Sequence, residues 1–201
     1  MAKIIKITFS GDYSVGKSAL IIKYIFDVYN DNETSTCALD FKTKNLNINN
    51  EKVILQLWDT AGQERYNMYT KLCYKNSNYI FVCFDVTRYD SFLNIKKWIN
   101  MIKESCVNPN ICIIALKNDC DKIFDTNISK KYAEQINVKY VELSAKNDNS
   151  DTIHKKLFSD ILESLIKNDI IDDLKEPEDI KEVIDLSDNK NNNKSECCNI
   201  L

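Results

Sequence analysis

Gly11-Asp12-Tyr13-Ser14-Val15-Gly16-Lys17-Ser18 is the stretch whose reading decides the fold. It has the spacing G-x-x-x-x-G-K-[ST] and stands between an apolar run, Ile4-Ile5-Lys6-Ile7-Thr8-Phe9, and the helix-patterned residues 18–26. A strand that breaks into a glycine-bounded loop and then a helix is the arrangement that cradles phosphate. Gly11 lets the chain leave the strand sharply, and Gly16 lets backbone N–H groups close around phosphate oxygens. Lys17 brings a charge to the terminal phosphates and Ser18 an oxygen for Mg²⁺, with the helix N-terminus adding its partial positive charge. Asp12, Tyr13, Ser14, Val15 and Ala19 complete the expected nucleotide-binding loop. A chance match to this pattern in a chain of this size is on the order of 1%.

Glycine makes that match sharper. The 201 residues hold three glycines, Gly11, Gly16 and Gly62, where average usage gives roughly fourteen. The third lies in Leu57-Trp58-Asp59-Thr60-Ala61-Gly62-Gln63-Glu64. An apolar strand ending in Asp59 suits a carboxylate that holds Mg²⁺ through water. The Gly62 N–H can then meet a terminal phosphate, and Gln63 can orient an attacking water.

Outward from these stretches, strand and helix patterns alternate. Residues 41–48 and 52–58 read as a hairpin turning at Asn49-Asn50-Glu51, and buried strands follow at 79–86, 110–116 and 139–143. Helical patterns fall at 91–106, 129–136 and 151–167. In the last of these Ile153, Leu157, Ile161 and Leu165 recur at four-residue steps, widened by Phe158, Leu162 and Ile166. The expected fold is α/β: a mostly parallel six-stranded sheet with one antiparallel edge strand and helices on both faces. In such sheets ligands bind beyond the carboxyl ends of the strands.

Two of those ends carry polar clusters, Asn118-Asp119-Cys120-Asp121 and Ser144-Ala145-Lys146. Asp121 can accept from guanine N1–H and from its exocyclic amine, whereas adenine would leave the carboxylate unpaired. Guanine is therefore the expected base, with Asn118, Asp121, Ser144, Ala145 and Lys146 around it.

With these motifs in place the sequence resembles the Rab family of P-loop small GTPases. Leu39-Asp40-Phe41-Lys42, Trp58-Asp59-Thr60-Ala61-Gly62-Gln63-Glu64-Arg65-Tyr66 and Phe84-Asp85-Val86-Thr87-Arg88-Tyr89-Asp90-Ser91-Phe92 are similar to that family's stretches in order and spacing. The resemblance implies a GTP/GDP switch in vesicle and membrane traffic that hydrolyses GTP slowly with Mg²⁺, with Gln63 and Lys17 as the catalytic pair. It further implies that Thr36 binds Mg²⁺ alongside Ser18 and Asp59, and that Tyr29 lies against base and ribose. The implied partners are effectors, an exchange factor, a GTPase-activating protein and a prenyl chaperone, around a monomer. Phe41, Trp58 and Cys73 would form the effector surface.

Several residues depart from the family pattern. Asp119 stands where a lysine is usual, which predicts a lost tie to the phosphate loop and faster nucleotide release. Tyr13 and Ser14 replace small residues and predict slow hydrolysis; Ala38 replaces a glycine, and Cys73 replaces a tyrosine of the effector-reading triad. The alternative is a constitutively loaded guanine-nucleotide scaffold with negligible turnover. A nucleotide kinase would need an arginine-rich lid, and Arg65 and Arg88 are the two arginines of the chain.

Composition bounds the remainder. The net charge is -3, with residues 169–201 acidic, residues 1–168 slightly basic, and no dense Lys/Arg cluster of the kind nucleic-acid binding calls for. The apolar runs are too short to span a bilayer and no leader pattern opens the chain. The eight cysteines read as reduced thiols, and His154 as a residue of a solvated helix face. The expected organisation is a domain at 1–168 and an acidic flexible tail at 169–201 ending Cys197-Cys198-Asn199-Ile200-Leu201. Cys198 opens a C-a-a-X box whose Leu201 favours geranylgeranyl, and the cysteine pair resembles ends that take two such lipids. One lipid is a marginal anchor and the acidic tail gives no help at an anionic surface, so two lipids, or one plus a protein partner, are expected. That places the protein on the cytosolic face of an intracellular membrane, cycling with the cytosol.

Overall fold

A computed structural model describes residues 2–30, 39–60 and 67–167 of the chain. Six strands form one sheet in the order β2-β3-β1-β4-β5-β6. They are β1 (Lys3–Gly11), β2 (Leu39–Ile48), β3 (Glu51–Thr60), β4 (Tyr79–Asp85), β5 (Ile111–Leu116) and β6 (Lys139–Glu142). β2 runs antiparallel to β3 at the edge, and every other pair is parallel. The hairpin closes through Asn49 and Asn50, both at positive φ, as a two-residue turn that follows the twist of the strands requires.

Helices α1 (Lys17–Phe26), α2 (Asn67–Tyr74), α3 (Tyr89–Leu93), α4 (Ile95–Ser105), α5 (Asn127–Gln135), α6 (Ser150–Ile153) and α7 (Ser159–Lys167) divide between two cores. Alternation along the strands sorts them. Phe81, Cys83, Cys112 and Ile114 join Leu20, Ile21 and Tyr24 of α1 and the α6–α7 residues. Ile80, Val82, Phe84, Ile111, Ile113 and Ala115 join Tyr74 and the α3, α4 and α5 residues. The sheet is thus covered on both faces, as the pattern predicts.

The C-terminal stripe shows why its step is four. An α-helix turns 100° per residue, so a strict four-residue step drifts about 40° each time. Between α6 and α7 the turn His154–Phe158 is a π-helix, whose wider i→i+5 bonding takes up that drift. Ile153, Leu157, Phe158, Ile161, Leu162, Leu165 and Ile166 all end buried. His154 departs from its expected place. It is half-buried, its Nδ1 lies 2.9 Å from the Tyr24 hydroxyl, and it stacks in line with Tyr24 and Phe158.

Candidate functional site

The site begins where β1 ends. Gly11 has φ +131°, and a Cβ there would lie 2.2 Å from the Cys83 carbonyl oxygen of β4. Both backbone conformation and the neighbouring strand forbid a side chain. Gly16, at φ +105°, has only ordinary contacts in the Cβ direction, so conformation alone selects it. Ser14 adopts φ +59° without being glycine, a left-handed position that costs a side-chain-bearing residue about 1–2 kcal/mol.

The loop's carbonyls are held from outside. Lys17 Nζ donates to the Gly11 and Asp12 carbonyls at 2.9 and 2.8 Å. Arg88 Nη1 donates to the Tyr13 carbonyl at 2.9 Å, and Lys117 Nζ to the Ser14 carbonyl at 3.1 Å. Four consecutive acceptors therefore face three cations. Lys17 is buried, and desolvation pulls its pKa below the usual lysine range against the opposing charge of Asp59. Val15 plugs the loop into the core, while Tyr13 is 47% exposed. Ala19 is half-buried in the first turn of α1.

The parallel register sets Asp59 beside Phe9, and the Thr60 hydroxyl donates to the Phe9 carbonyl at 2.7 Å. This carries the Asp59 carboxylate to α1, where the Ser18 hydroxyl donates to it at 2.5 Å. A serine hydroxyl and a buried carboxylate in contact are two hard oxygen donors. They fit Mg²⁺, which takes one or two protein oxygens and completes its shell with water and phosphate. Among the described residues no group of three or more His, Cys, Asp or Glu gathers into a metal cage.

The base loop differs from its sequence expectation. β5 ends at Leu116, and Lys117 takes φ +61°. Its ammonium pairs with the buried Asp85 carboxylate at 2.6 Å as well as with the phosphate loop. The tie expected to be missing is thus supplied two residues before Asp119. The Ser144 hydroxyl accepts from the Lys146 and Asn147 N–H groups and donates to Asp119 Oδ1 at 2.5 Å. Burial raises the Asp119 carboxyl, but the Ser144 hydroxyl, a backbone N–H and the Lys146 charge outweigh it, so its pKa falls below the ordinary value. Ser144 and Lys146 are gathered on Asp119 rather than on Asp121, although both residues are exposed. Asn118 is exposed and gives its N–H to the Leu143 carbonyl at 3.3 Å; Ala145 is half-buried between Ser144 and Lys146.

On the effector side, Phe41 and Trp58 pair across β2 and β3 and stack at 5.0 Å. Phe41 is 41% exposed, but Trp58 and Cys73 are each 4% exposed, so two of the three expected surface residues are interior. Lys6 Nζ, 4.8 Å from the Trp58 ring centroid, lies over that ring. Tyr29 is 37% exposed on the segment leaving α1. Thr36, Ala38, Gly62, Gln63, Cys197 and Cys198 lie outside the described residues. Sequence reasoning missed Asp85, Arg88 and Lys117. A lone lysine after a strand and a strand-terminal aspartate carry no spacing signal, although the Asp85-Val86-Thr87-Arg88 stretch marked the region.

A strand–loop–helix phosphate cradle with a Ser–Asp pair beside it and a carboxylate–serine base loop beyond defines a nucleotide-binding GTPase fold. Comparison bears this out: the Ras family model matches residues 6–167. The chain is 39% identical over 145 residues to the Ras-related protein Rab-1D of Dictyostelium discoideum, covering 71% of each chain. It is 37% identical over 147 residues to RABD2b of Arabidopsis thaliana, covering 72% of this chain and 73% of that one, and 36% identical over 148 residues to RABD2c of the same plant, with the same coverage. The chain belongs to the Ras family and, within it, to the Rab small GTPases. It is accordingly a GTP-hydrolysing switch of vesicle traffic that binds guanine nucleotide with Mg²⁺.

Proposed function

We propose that this Rab GTPase reads guanine through Asp119, with Ser144 and Lys146 fixing the carboxylate and Lys117 tying the base loop to the phosphate loop. The 2.5 Å bond from the Ser144 hydroxyl to Asp119 carries the reading. Both acceptor positions of that hydroxyl face backbone N–H groups, so its proton points at Asp119 and keeps the carboxylate ionised. Asp119 Oδ atoms then accept from guanine N1–H and the exocyclic amine.

At the phosphate end, Lys17 is already oriented on two loop carbonyls and offers its charge to the terminal phosphates. Ser18 and Asp59 would hold Mg²⁺, which when bound neutralises charge building on the transferred phosphoryl group. Gln63 orients the attacking water and Thr36 completes the metal-facing set. Hydrolysis is slow because Tyr13 puts an exposed ring at the loop's rim, where activating groups approach; brisk single-turnover phosphate release would overturn this. Residues 1–168 form the GTPase domain. Residues 169–201 form a tether whose Cys197 and Cys198 take geranylgeranyl and hold the protein on the cytosolic face of an intracellular membrane. Among the described residues no helix is long and apolar enough to cross one. Phe41 anchors effectors, which join an exchange factor, an activating protein and a prenyl chaperone as partners of the monomer.

The base assignment is tested by exchanging the nucleotide. In Asp119→Asn the amide can still accept from N1–H but must donate at the second contact, which suits the xanthine carbonyl and opposes the guanine amine. Guanine-nucleotide affinity is expected to fall on the order of 1000-fold and xanthine-nucleotide affinity to rise, while Asp121→Asn leaves both near wild type. The reverse pattern, in equilibrium binding with fluorescent nucleotides, would return the role to Asp121.

A further inference from the structure

One acidic side chain of the phosphate loop is not used by the chemistry above. Asp12 points out of the loop toward α3 and α4, where its Oδ1 accepts from Trp98 Nε1 and its Oδ2 from Asn94 Nδ2, each at 2.7 Å. Asn94 and Trp98 are four residues apart, joined by the Trp98 N–H to Asn94 carbonyl bond at 3.1 Å, so both donors stand on one helix face. Trp98 is 2% exposed and packed into the second core; its N–H is not free to follow the loop. The same Asp12 gives its carbonyl to Lys17 Nζ. A carboxylate fixed at both oxygens fixes the peptide plane behind it, and that plane orients the lysine.

We propose that Asp12 is a positioning residue for phosphate binding. Clamped by Trp98 and Asn94, it holds the loop backbone in the geometry that presents Lys17, so the residence time of guanine nucleotide depends on an indole N–H outside the loop. The proposal rests on the guanine-nucleotide reading of the site. Hydrogen bonds to an ionised acceptor are the stronger kind, and a buried donor left unpaired is costly.

Release of fluorescent GDP from the full chain with Mg²⁺ measures the effect. Trp98→Phe keeps the ring and removes the donor. Asp12→Asn keeps one acceptor and sets an amide against the other donor. Each is expected to speed release roughly 10-fold or more, and the double variant should release no faster than Asp12→Asn alone, because the two changes break the same bond. Asn94→Ala, at a half-buried position, should speed release about 3-fold and serves if either core variant does not fold.

A structural role alone would lower the melting temperature without this coupling. The Trp98 indole N–H resonance in ¹⁵N-labelled protein gives a second readout and should move in Asp12→Asn. Unchanged release in all three variants, additive effects in the double variant, or an indole resonance indifferent to Asp12→Asn would each overturn the clamp. If the unsubstituted chain retained no guanine nucleotide, the functional reading would fail before any variant was compared, and the proposal with it.

Discussion

The two faces of β1 are built by different rules. Ile5, Ile7 and Phe9 enter the apolar core with α1 and α7, Phe9 meeting Phe81 edge-on at 5.1 Å. Lys6, Thr8 and Ser10, equally buried, point to the end of α2 and bond it almost atom by atom. Lys6 Nζ donates to the Lys75 carbonyl at 2.8 Å, the Thr8 hydroxyl to the Cys73 carbonyl at 3.1 Å, and the Ser10 and Tyr74 hydroxyls lie 2.5 Å apart. Apolar packing tolerates small slides, because area and volume rather than direction set its energy. Hydrogen bonds in a dry setting do not, since a broken one leaves a buried polar atom unpaired. One face therefore supplies stability and the other fixes where α2 sits.

Three measurements sharpen that contrast, all by denaturation at one GDP concentration, with each variant's GDP affinity measured so that the ligand's contribution can be subtracted. Phe9→Ala should cost the most, about 3–5 kcal/mol, with little change in nucleotide selectivity. Tyr74→Phe should cost about 1–3 kcal/mol by stranding the Ser10 hydroxyl, and adding Ser10→Ala should recover most of it; a further loss in the double variant would mean that the polar face is held by packing after all. The smallest effect belongs to His154, the polar intrusion on the apolar side. Burial, helped by the charge of Lys44 and opposed by Asp151, lowers its pKa below the usual 6.5. The unfolded chain then takes up the proton first as pH falls, so the stability His154 contributes is present above about pH 6.5 and lost below it. Between about pH 7.5 and pH 5.5 the melting temperature of His154→Gln should fall less than that of the wild type.

The strand–loop–helix cradle, the antiparallel hairpin and the two-faced sheet were all legible in the sequence, because each rests on local spacing and periodicity. The bonding around residues 117–121 was not. Asn118-Asp119-Cys120-Asp121 offers two carboxylates, and the Asn118 frame favours the second. Which of them the Ser144 hydroxyl bonds turns on where β5 stops, and a strand end beside a left-handed Lys117 leaves no mark in composition. Cys73 failed as a surface residue for a related reason. A helix position does not announce which side the sheet will cover, and here β1's polar face draws the Cys73 carbonyl inward. The Asp12 clamp was hidden because the match explained the loop's backbone and gave no direction to its side chains.

β1 lies between β3 and β4, and this seam divides the chain in time as well as in space. The glycine-bounded loop, Lys17, Ser18 and Asp59 are all synthesised before β4. Arg88, Asn94, Trp98 and Lys117, whose side chains hold the loop's carbonyls and Asp12, all emerge later. A growing chain therefore makes the glycine-bounded loop well before it makes the side chains that hold that loop in shape.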